Sequence, residues 1–395
     1  MKYRFHVLGL IHLPVHDKYN SCAFTQKIIK FSKMMLSLGH EVYVYGAGEA
    51  DVPCTEYIET HTEADIRAVW GDEGNNVGLG YDWQKVGGFR FDRDTDKRRA
   101  FYEKFLDTLI VEVGKRKRKG DFLCLTMGIY HKKVSDALQM PLTVETGIGY
   151  RNSFAPFRAF ESSFIQNLTY GSENKESDGG KTGYGRFYDR VIPNYFDPAQ
   201  FDPNQEKENY MLYIGRIIPA KGIHIGMEIA KYLGYKFILA GQGDLEVKKK
   251  YKDVIINEGY SDIEKRKSLM AKAKLFIYPT LYLEPFGGST IEANLSATPV
   301  LTTNFGVFPE TVENGINGYR CNTFQDFIDH TRSIMDGEFD TPLKRAIIYN
   351  KADKYTLDNV RYMYEDWFND LYPMQEAVEY QMKTGKKLDV WYRLK

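Results

Sequence analysis

Two cations, two carboxylates and a pair of adjacent glycines stand at spacings that suit a phosphorylated ligand. In YIGRIIPAKGIHIG, Arg216 and Lys221 follow Gly215, where a strand pattern ends, and Gly222 opens a helical pattern. Ligands of open α/β sheets sit beyond the strand C-termini. There an arginine can grip phosphate oxygens with two parallel bonds, and a lysine adds a point charge. In EPFGGSTIE, Glu284 and Glu292 lie eight residues apart. Pro285 stiffens the chain, and Gly287 and Gly288 let backbone approach a ligand. Ser289 is the expected N-cap of the helix that follows. A carboxylate can accept hydrogen bonds from both hydroxyls of a vicinal diol, which is how acidic side chains hold ribose. The plainer readings are a solvated basic loop in the first case and a favourable helix-dipole charge in the second. The third stretch, HLPVHDKYNSCAF (residues 12–24), precedes the first long helical pattern and reads equally as a polar ligand loop or a plain connection.

These stretches need strands and helices to aim them. Tyr3–Ile11 is a β-rich run, and Thr25–Leu38 carries apolar residues at a helical period up to Gly39. EVYVYGAG then gives a second strand, so the chain opens with a strand–helix–strand unit of the kind that builds parallel sheets. Residues 60–100 are rich in Gly, Asp and Asn and are expected to form long loops. A helix (Phe101–Val113), a strand (DFLCLT), a short helix (Val134–Leu138) and a strand (PLTVET) follow. Residues 171–186 are polar and Gly-rich, and Ser172–Gly185 is expected to be a mobile loop on the acceptor side. RVIPNYFDPAQFDPNQEKENY reads as a linker. Beyond it comes a second β/α series, and the residues from Tyr355 read as aromatic-rich helices.

Composition narrows the field. At about 150 residues per domain, 395 residues suit two domains. Hydrophobic residues make up 43% and charged residues 27%, which excludes a mainly disordered chain. Lys+Arg and Asp+Glu are both 53, and this neutrality argues against strong non-specific binding to nucleic acid or acidic membranes. Local basic runs do occur at Lys115–Lys119 and Lys248–Lys252. The cysteines Cys22, Cys54, Cys124 and Cys321 are scattered, so neither a zinc site nor a disulfide scaffold is expected and a reducing cytoplasm suits them. No apolar stretch reaches 18 residues, and the N-terminus reads as a first strand rather than a signal peptide.

With these motifs in place, the chain resembles the retaining GT-B glycosyltransferases of family four, the glycosyl transferases group 1. The resemblance rests on GR followed by KG, the strand ending AGQGD, EGY before a helix, EPFGGSTIEA and PVLTTNFGVFPETVENGINGY. RVIPNYFDPAQF resembles the family's interdomain segment, and LGHEVYVYGAG its first unit. The resemblance implies an α/β fold of two facing Rossmann-like domains. These are expected at 1–192, on the acceptor side, and at 193–374, for the nucleotide sugar. A terminal helix (about 375–395) should cross back to complete the first. It implies transfer of a sugar from a nucleotide sugar, with UDP the expected carrier, to a hydroxyl acceptor with retention. Arg216 and Lys221 would hold the diphosphate, Glu292 the ribose and Glu284 the transferred sugar. Gly215 and the segment Phe286, Gly287, Gly288 and Ser289 would serve phosphate and sugar, and Tyr260 would lie by the base. Two fixed cations and a helix start would stabilise the leaving diphosphate, so no obligatory metal or other cofactor is expected.

The sequence departs from the family pattern in its first half. YNSCAFT stands where many relatives have a Gly-Gly pair, and Glu145–Gly147 where many have a histidine. Glu145, Gly147, Tyr150 and His131 are therefore the acceptor-side candidates, although a histidine beside Lys132 and Lys133 reads more often as plain surface. The acceptor is open: a glycan, a lipid-linked or small molecule, or a hydroxylated nucleobase in DNA, for which the basic runs and abundant aromatics would serve. The remaining alternatives are a GT-B phosphorylase or epimerase and an inactive nucleotide-sugar-binding module.

Overall fold

The computed structural model describes residues 1–19, 22–70, 93–173, 185–243 and 245–385. Packing divides these into two units. One takes the chain up to Pro193 together with the segment from Val360 onward, and the other takes Asn194–Asn359.

The first unit is a parallel sheet with helices between its strands. Its elements are β1 (Arg4–Leu8), α1 (Ala23–Ser37), β2 (Glu41–Ala47), β3 (Glu56–His61), α2 (Glu63–Trp70), α3 (Asp96–Arg116), β4 (Phe122–Leu125), α4 (Lys132–Leu138), β5 (Thr143–Ile148), β6 (Phe157–Phe160), α5 (Ser163–Glu173) and β7 (Arg190–Val191). The strand order is β3-β2-β1-β4-β5-β6-β7, and every pairing is parallel. Its strands read as apolar runs rather than alternations because helices cover both faces, as the full burial of Phe122–Leu125 illustrates.

The second unit repeats the plan with β8 (Glu208–Ile214), α6 (Ile223–Leu233), β9 (Lys236–Ala240), β10 (Ile255–Gly259), α7 (Ile263–Lys272), β11 (Ala273–Tyr278), α8 (Gly288–Leu295), β12 (Val300–Thr303), α9 (Phe308–Thr311), β13 (Gly318–Cys321), α10 (Phe324–Met335) and α11 (Pro342–Asp353). Its order is β10-β9-β8-β11-β12-β13, again all parallel. β8 lies beside β11 at the middle of this sheet, where the winding reverses. That placement brings the loop carrying Arg216 and Lys221 next to the loop carrying Glu284.

The chain ends in α12 (Leu357–Leu371) and α13 (Gln375–Thr384). From Val360 onward α12 belongs to the first unit. Phe368 packs there with ring centroids 4.7 Å from Phe5 and 4.8 Å from Phe122, and Trp367 Nε1 donates to the Tyr188 carbonyl at 2.6 Å. Complete burial of a phenylalanine contributes about 1.5–3 kcal/mol, so this helix is a structural part of the unit.

Two expectations change. The stretch 60–100 contains α2 and the start of α3 rather than continuous loop. α2 was hidden because only Ile66 and Trp70, four residues apart, are buried, too few to show a period. The expected mobile loop begins inside α5, which runs to Glu173, and residues 174–184 lie outside the described residues. Among the described residues no helix is long and apolar enough to cross a membrane.

Candidate functional site

The central feature of the second unit is a buried ion pair at its strand ends. After β8, Arg216 is exposed, and a short turn, Pro219–Lys221, leads to Gly222, which caps α6. Gly222 has φ +66°, and a Cβ there would lie 1.8 Å from the Pro279 carbonyl oxygen, so the two loops meet backbone to backbone at a position only glycine fits. The Ala220 carbonyl accepts hydrogen bonds from the amides of Leu281 and Tyr282 at 2.9 and 3.0 Å. This stitching holds the β8 loop against the loop after β11 and sets Lys221 over Glu284.

Lys221 Nζ donates to Glu284 Oε1, and each side chain is only 8% exposed. The same carboxylate oxygen accepts from Tyr278 Oη at 3.2 Å and from Thr280 Oγ1 at 3.4 Å. The ammonium also lies 4.9 Å from the ring centroid of Tyr282 and 5.4 Å from that of Tyr278. Burial pulls the Lys221 pKa down, Glu284 opposes that shift, and the nearby Arg216 guanidinium adds to it. Burial also raises the Tyr278 hydroxyl, as does the neighbouring Glu284 charge, so Tyr278 stays a hydrogen-bond donor. The pair is thus a desolvated cation and anion at a strand end, flanked by an exposed guanidinium.

α8 begins beside it. Its N-cap is Gly287, at φ +70°, and not Ser289, which lies within the first turn. A side chain at Gly287 would meet Phe308 at 2.9 Å, so packing as well as the backbone angle demands glycine there. Gly288 and Ser289 are half-buried, and the opening amides of a helix have no intrahelical acceptor. The Phe286 side chain points into a cluster with Phe196, Ile291 and Tyr355, so only its backbone can face a ligand. Gly215 donates its amide to the Ala240 carbonyl at 3.0 Å, locking the end of β8 to β9.

Glu292, in the second turn of α8, is held by an ion pair from Arg266 on α7 to its Oε2. Tyr260 is half-buried just beyond β10. Burial raises its hydroxyl pKa, and the Arg266 guanidinium lies close enough to oppose that shift. The structure therefore gathers Arg216, Lys221, Glu284, the start of α8, Glu292 and Tyr260 at the C-terminal ends of one sheet. Arg266, Tyr278, Thr280 and Tyr282 join them without having been found in the sequence. Only Tyr282, two residues before Glu284, lay within reach of a motif.

The candidates in the first unit are more deeply placed. Glu145, on β5, is fully buried and accepts from Tyr150 Oη at 2.8 Å and from the amides of Phe154 and Ala155 at 2.5 and 2.7 Å. It braces the following loop, and burial raises its pKa. The Gly147 carbonyl accepts from Lys27 Nζ at 2.8 Å, and Lys27 also pairs with Glu161 at 2.6 Å. Tyr150 is half-buried. His131, read more often as surface beside its two lysines, is instead fully buried, and burial pushes its pKa down to about 3. It shares one helical face with the buried Val134 and Leu138, whereas Lys132 and Lys133 turn outward to Asp136, Glu103 and Asp107. Among the described residues, no three or more His, Cys, Asp or Glu side chains are grouped to hold a metal ion.

Comparison with known proteins bears on the fold and on the family of the second unit. Residues 197–354 match the family model of glycosyl transferases group 1. The O-antigen chain mannosyltransferase RfbU of Salmonella typhimurium is 28% identical over 190 residues, covering 45% of this chain and 52% of that protein. The chain thus spans about half the length, or less, of the curated relatives it matches. Among solved structures, sucrose-phosphate synthase from Thermosynechococcus elongatus superposes with a TM-score of 0.65 at 12% identity, over 94% of this chain and 100% of that one. Anabaena Alr3699/HepE in complex with UDP and glucose gives 0.58 at 14% identity, over 93% and 98%. At such identities the structural likeness establishes the fold, which is GT-B. Residues 197–354 carry the domain of the glycosyl transferases group 1 family.

Proposed function

We propose that this protein is a retaining glycosyltransferase that moves a hexosyl group from a nucleoside-diphosphate sugar to an acceptor hydroxyl. The observation that carries the reading is the convergence, at the middle of the second sheet, of Lys221 with Glu284 beside the start of α8 and the Glu292 carboxylate. Arg216 and Lys221 hold the diphosphate, and the amides around Gly287–Ser289 add donors. Glu292 accepts the ribose hydroxyls, Glu284 the hydroxyls of the transferred sugar, and Tyr260 lies toward the base. UDP is the proposed carrier, in keeping with the UDP and glucose bound by the Anabaena neighbour.

The chemistry follows from these roles. As the bond from the anomeric carbon to the diphosphate oxygen breaks, negative charge grows on the β-phosphate. Arg216, Lys221 and the positive end of α8 stabilise that charge in place, without an obligatory metal ion. The acceptor oxygen forms its bond on the face the diphosphate leaves, and the departing phosphate oxygen takes the acceptor proton. The first unit selects the acceptor, with Tyr150 and the Gly147 turn toward it, Glu145 holding the Tyr150 hydroxyl, and His131 buried at the start of α4.

Incubation with UDP-, GDP- and ADP-sugars, reading free nucleotide, tests the proposal. Release from one carrier class, lost in Lys221→Met, is expected. No release from any of them, with and without added divalent cations, would leave the activity unsupported.

A further inference from the structure

Resting on the reading of Glu292 as the ribose carboxylate, the structure raises a question that reading leaves open: what fixes that carboxylate. Glu292 is half-buried on α8, its side chain 16% exposed, and a glutamate has several rotamers through which a diol acceptor could wander. The neighbouring helix supplies a clamp. α7 starts at Ile263 behind its N-cap Asp262, whose carboxylate accepts from the Lys265 amide at 2.9 Å. It carries four basic side chains, and three of them point elsewhere. Lys265 pairs with Glu258 at 2.7 Å, Lys267 donates to the Ala199 carbonyl at 3.0 Å, and Lys272 pairs with Glu208 at 3.2 Å. Arg266 alone of the four reaches α8, where one guanidinium nitrogen donates to Glu292 Oε2. Its side chain is 29% exposed, and it also lies near Tyr260.

We infer that Arg266 is a positioning residue for the nucleotide: it pins one oxygen of Glu292 so that the remaining acceptor sites of the carboxylate face the ribose diol. An ionised carboxylate offers about four lone-pair sites on two oxygens, so engaging Oε2 leaves Oε1 free for hydroxyl donors. The guanidinium sets a positive charge beside the carboxylate where solvent is partly excluded, and an ionised carboxylate accepts hydroxyl hydrogen bonds more strongly than a neutral oxygen does. Because Arg266 sits between the base-side Tyr260 and the ribose-side Glu292, it couples the α7 end of the site to α8. An arginine suits this role better than a lysine, since its planar fork fixes direction as well as charge.

The inference makes a specific demand: the benefit of Arg266 exists only through the ribose hydroxyls. UDP, GDP and ADP, each with its 2′,3′-dideoxy form, are titrated calorimetrically into the full-length wild type, Arg266→Gln, Arg266→Lys, Glu292→Gln and the Arg266→Gln/Glu292→Gln double variant. Thermal unfolding of each variant checks its fold. For the tightest ribonucleotide, Arg266→Gln weakens binding by about 5-fold, the effect of freeing one side chain. Arg266→Lys recovers part of that loss, the dideoxy ligand is bound equally by wild type and Arg266→Gln, and Arg266→Gln adds nothing in the Glu292→Gln background. Equal weakening of ribo and dideoxy ligands, or no weakening in Arg266→Gln while Glu292→Gln does weaken ribonucleotide binding, overturns the inference. If Glu292→Gln itself leaves ribonucleotide binding unchanged, it is the ribose assignment that falls, and the two failures are distinct.

Discussion

Replacing Lys221 by methionine keeps much of its apolar stem and removes only its charge, so it isolates what the buried pair does. The Glu284 carboxylate would then remain desolvated, with Tyr278 Oη at 3.2 Å and Thr280 Oγ1 at 3.4 Å as donors on one oxygen. Breaking a buried ion pair from one side costs about 3–5 kcal/mol. Two long neutral hydrogen bonds offset about 1 kcal/mol of that, which leaves a net loss of about 2–4 kcal/mol. Glu284→Gln should cost a similar amount, because the ammonium loses its only anionic partner among the described contacts and keeps only the faces of Tyr278 and Tyr282. The double variant should be less destabilised than the sum of the singles by about 1–3 kcal/mol, the signature of direct coupling. Urea unfolding of the full-length protein, followed by circular dichroism, measures all three. Turnover reports the other half: Lys221→Met should lower nucleotide release by at least about 100-fold, as expected when a group aimed at developing charge is lost. Nucleoside diphosphate affinity should fall much less, since the charge matters most in the transition state. Additive single-variant losses below about 1 kcal/mol with unchanged turnover would refute both the pairing and the diphosphate role.

Glu292→Ala should weaken nucleoside diphosphate binding by about 1.5–3 kcal/mol, whereas Glu284→Ala should spare that binding and reduce transfer; calorimetry and a transfer assay on the two variants separate the roles. Gly222→Ala places a methyl against the Pro279 carbonyl at an unfavourable φ, so it should lower the melting temperature and, by displacing Lys221, also slow turnover. Burial pulls the pKa of His12 and of His61 down to about 4 and that of His131 to about 3. Folded pKa values below the unfolded 6.5 mean that the unfolded chain binds protons first as pH falls, so stability is full above about pH 6.5 and declines below it, by up to about 2 kcal/mol per histidine at pH 5. Urea midpoints between pH 8 and pH 5 should show that slope, and His131→Gln should flatten it.

Much of the architecture is legible in the chain because parallel sheets write themselves as short apolar runs alternating with helical periods. Gly215, Lys221 and Glu284 could be placed at strand ends for the same reason. The features that escaped depend on three-dimensional approach rather than local pattern. Gly287 caps α8 in place of Ser289 because Phe308 leaves no room for a side chain and the backbone turns left-handed there, which Ser289's good capping chemistry does not reveal. Arg266 and Glu292 are 26 residues apart and meet only because α7 packs on α8. His131 looked suited to the surface beside two lysines, yet its register with Val134 and Leu138 turns it inward. Glu145 stands among the acceptor-side candidates, but it is buried and braces a loop that lies up to ten residues further along the chain.

A crystal structure with the nucleoside diphosphate released from the best donor tests the central claim most directly. The account predicts the diphosphate within hydrogen-bond reach of Lys221 Nζ and the Arg216 guanidinium, at the start of α8, with the ribose hydroxyls on Glu292 and the base toward Tyr260. A nucleotide bound away from these residues, or one whose ribose makes no contact with Glu292, would contradict it.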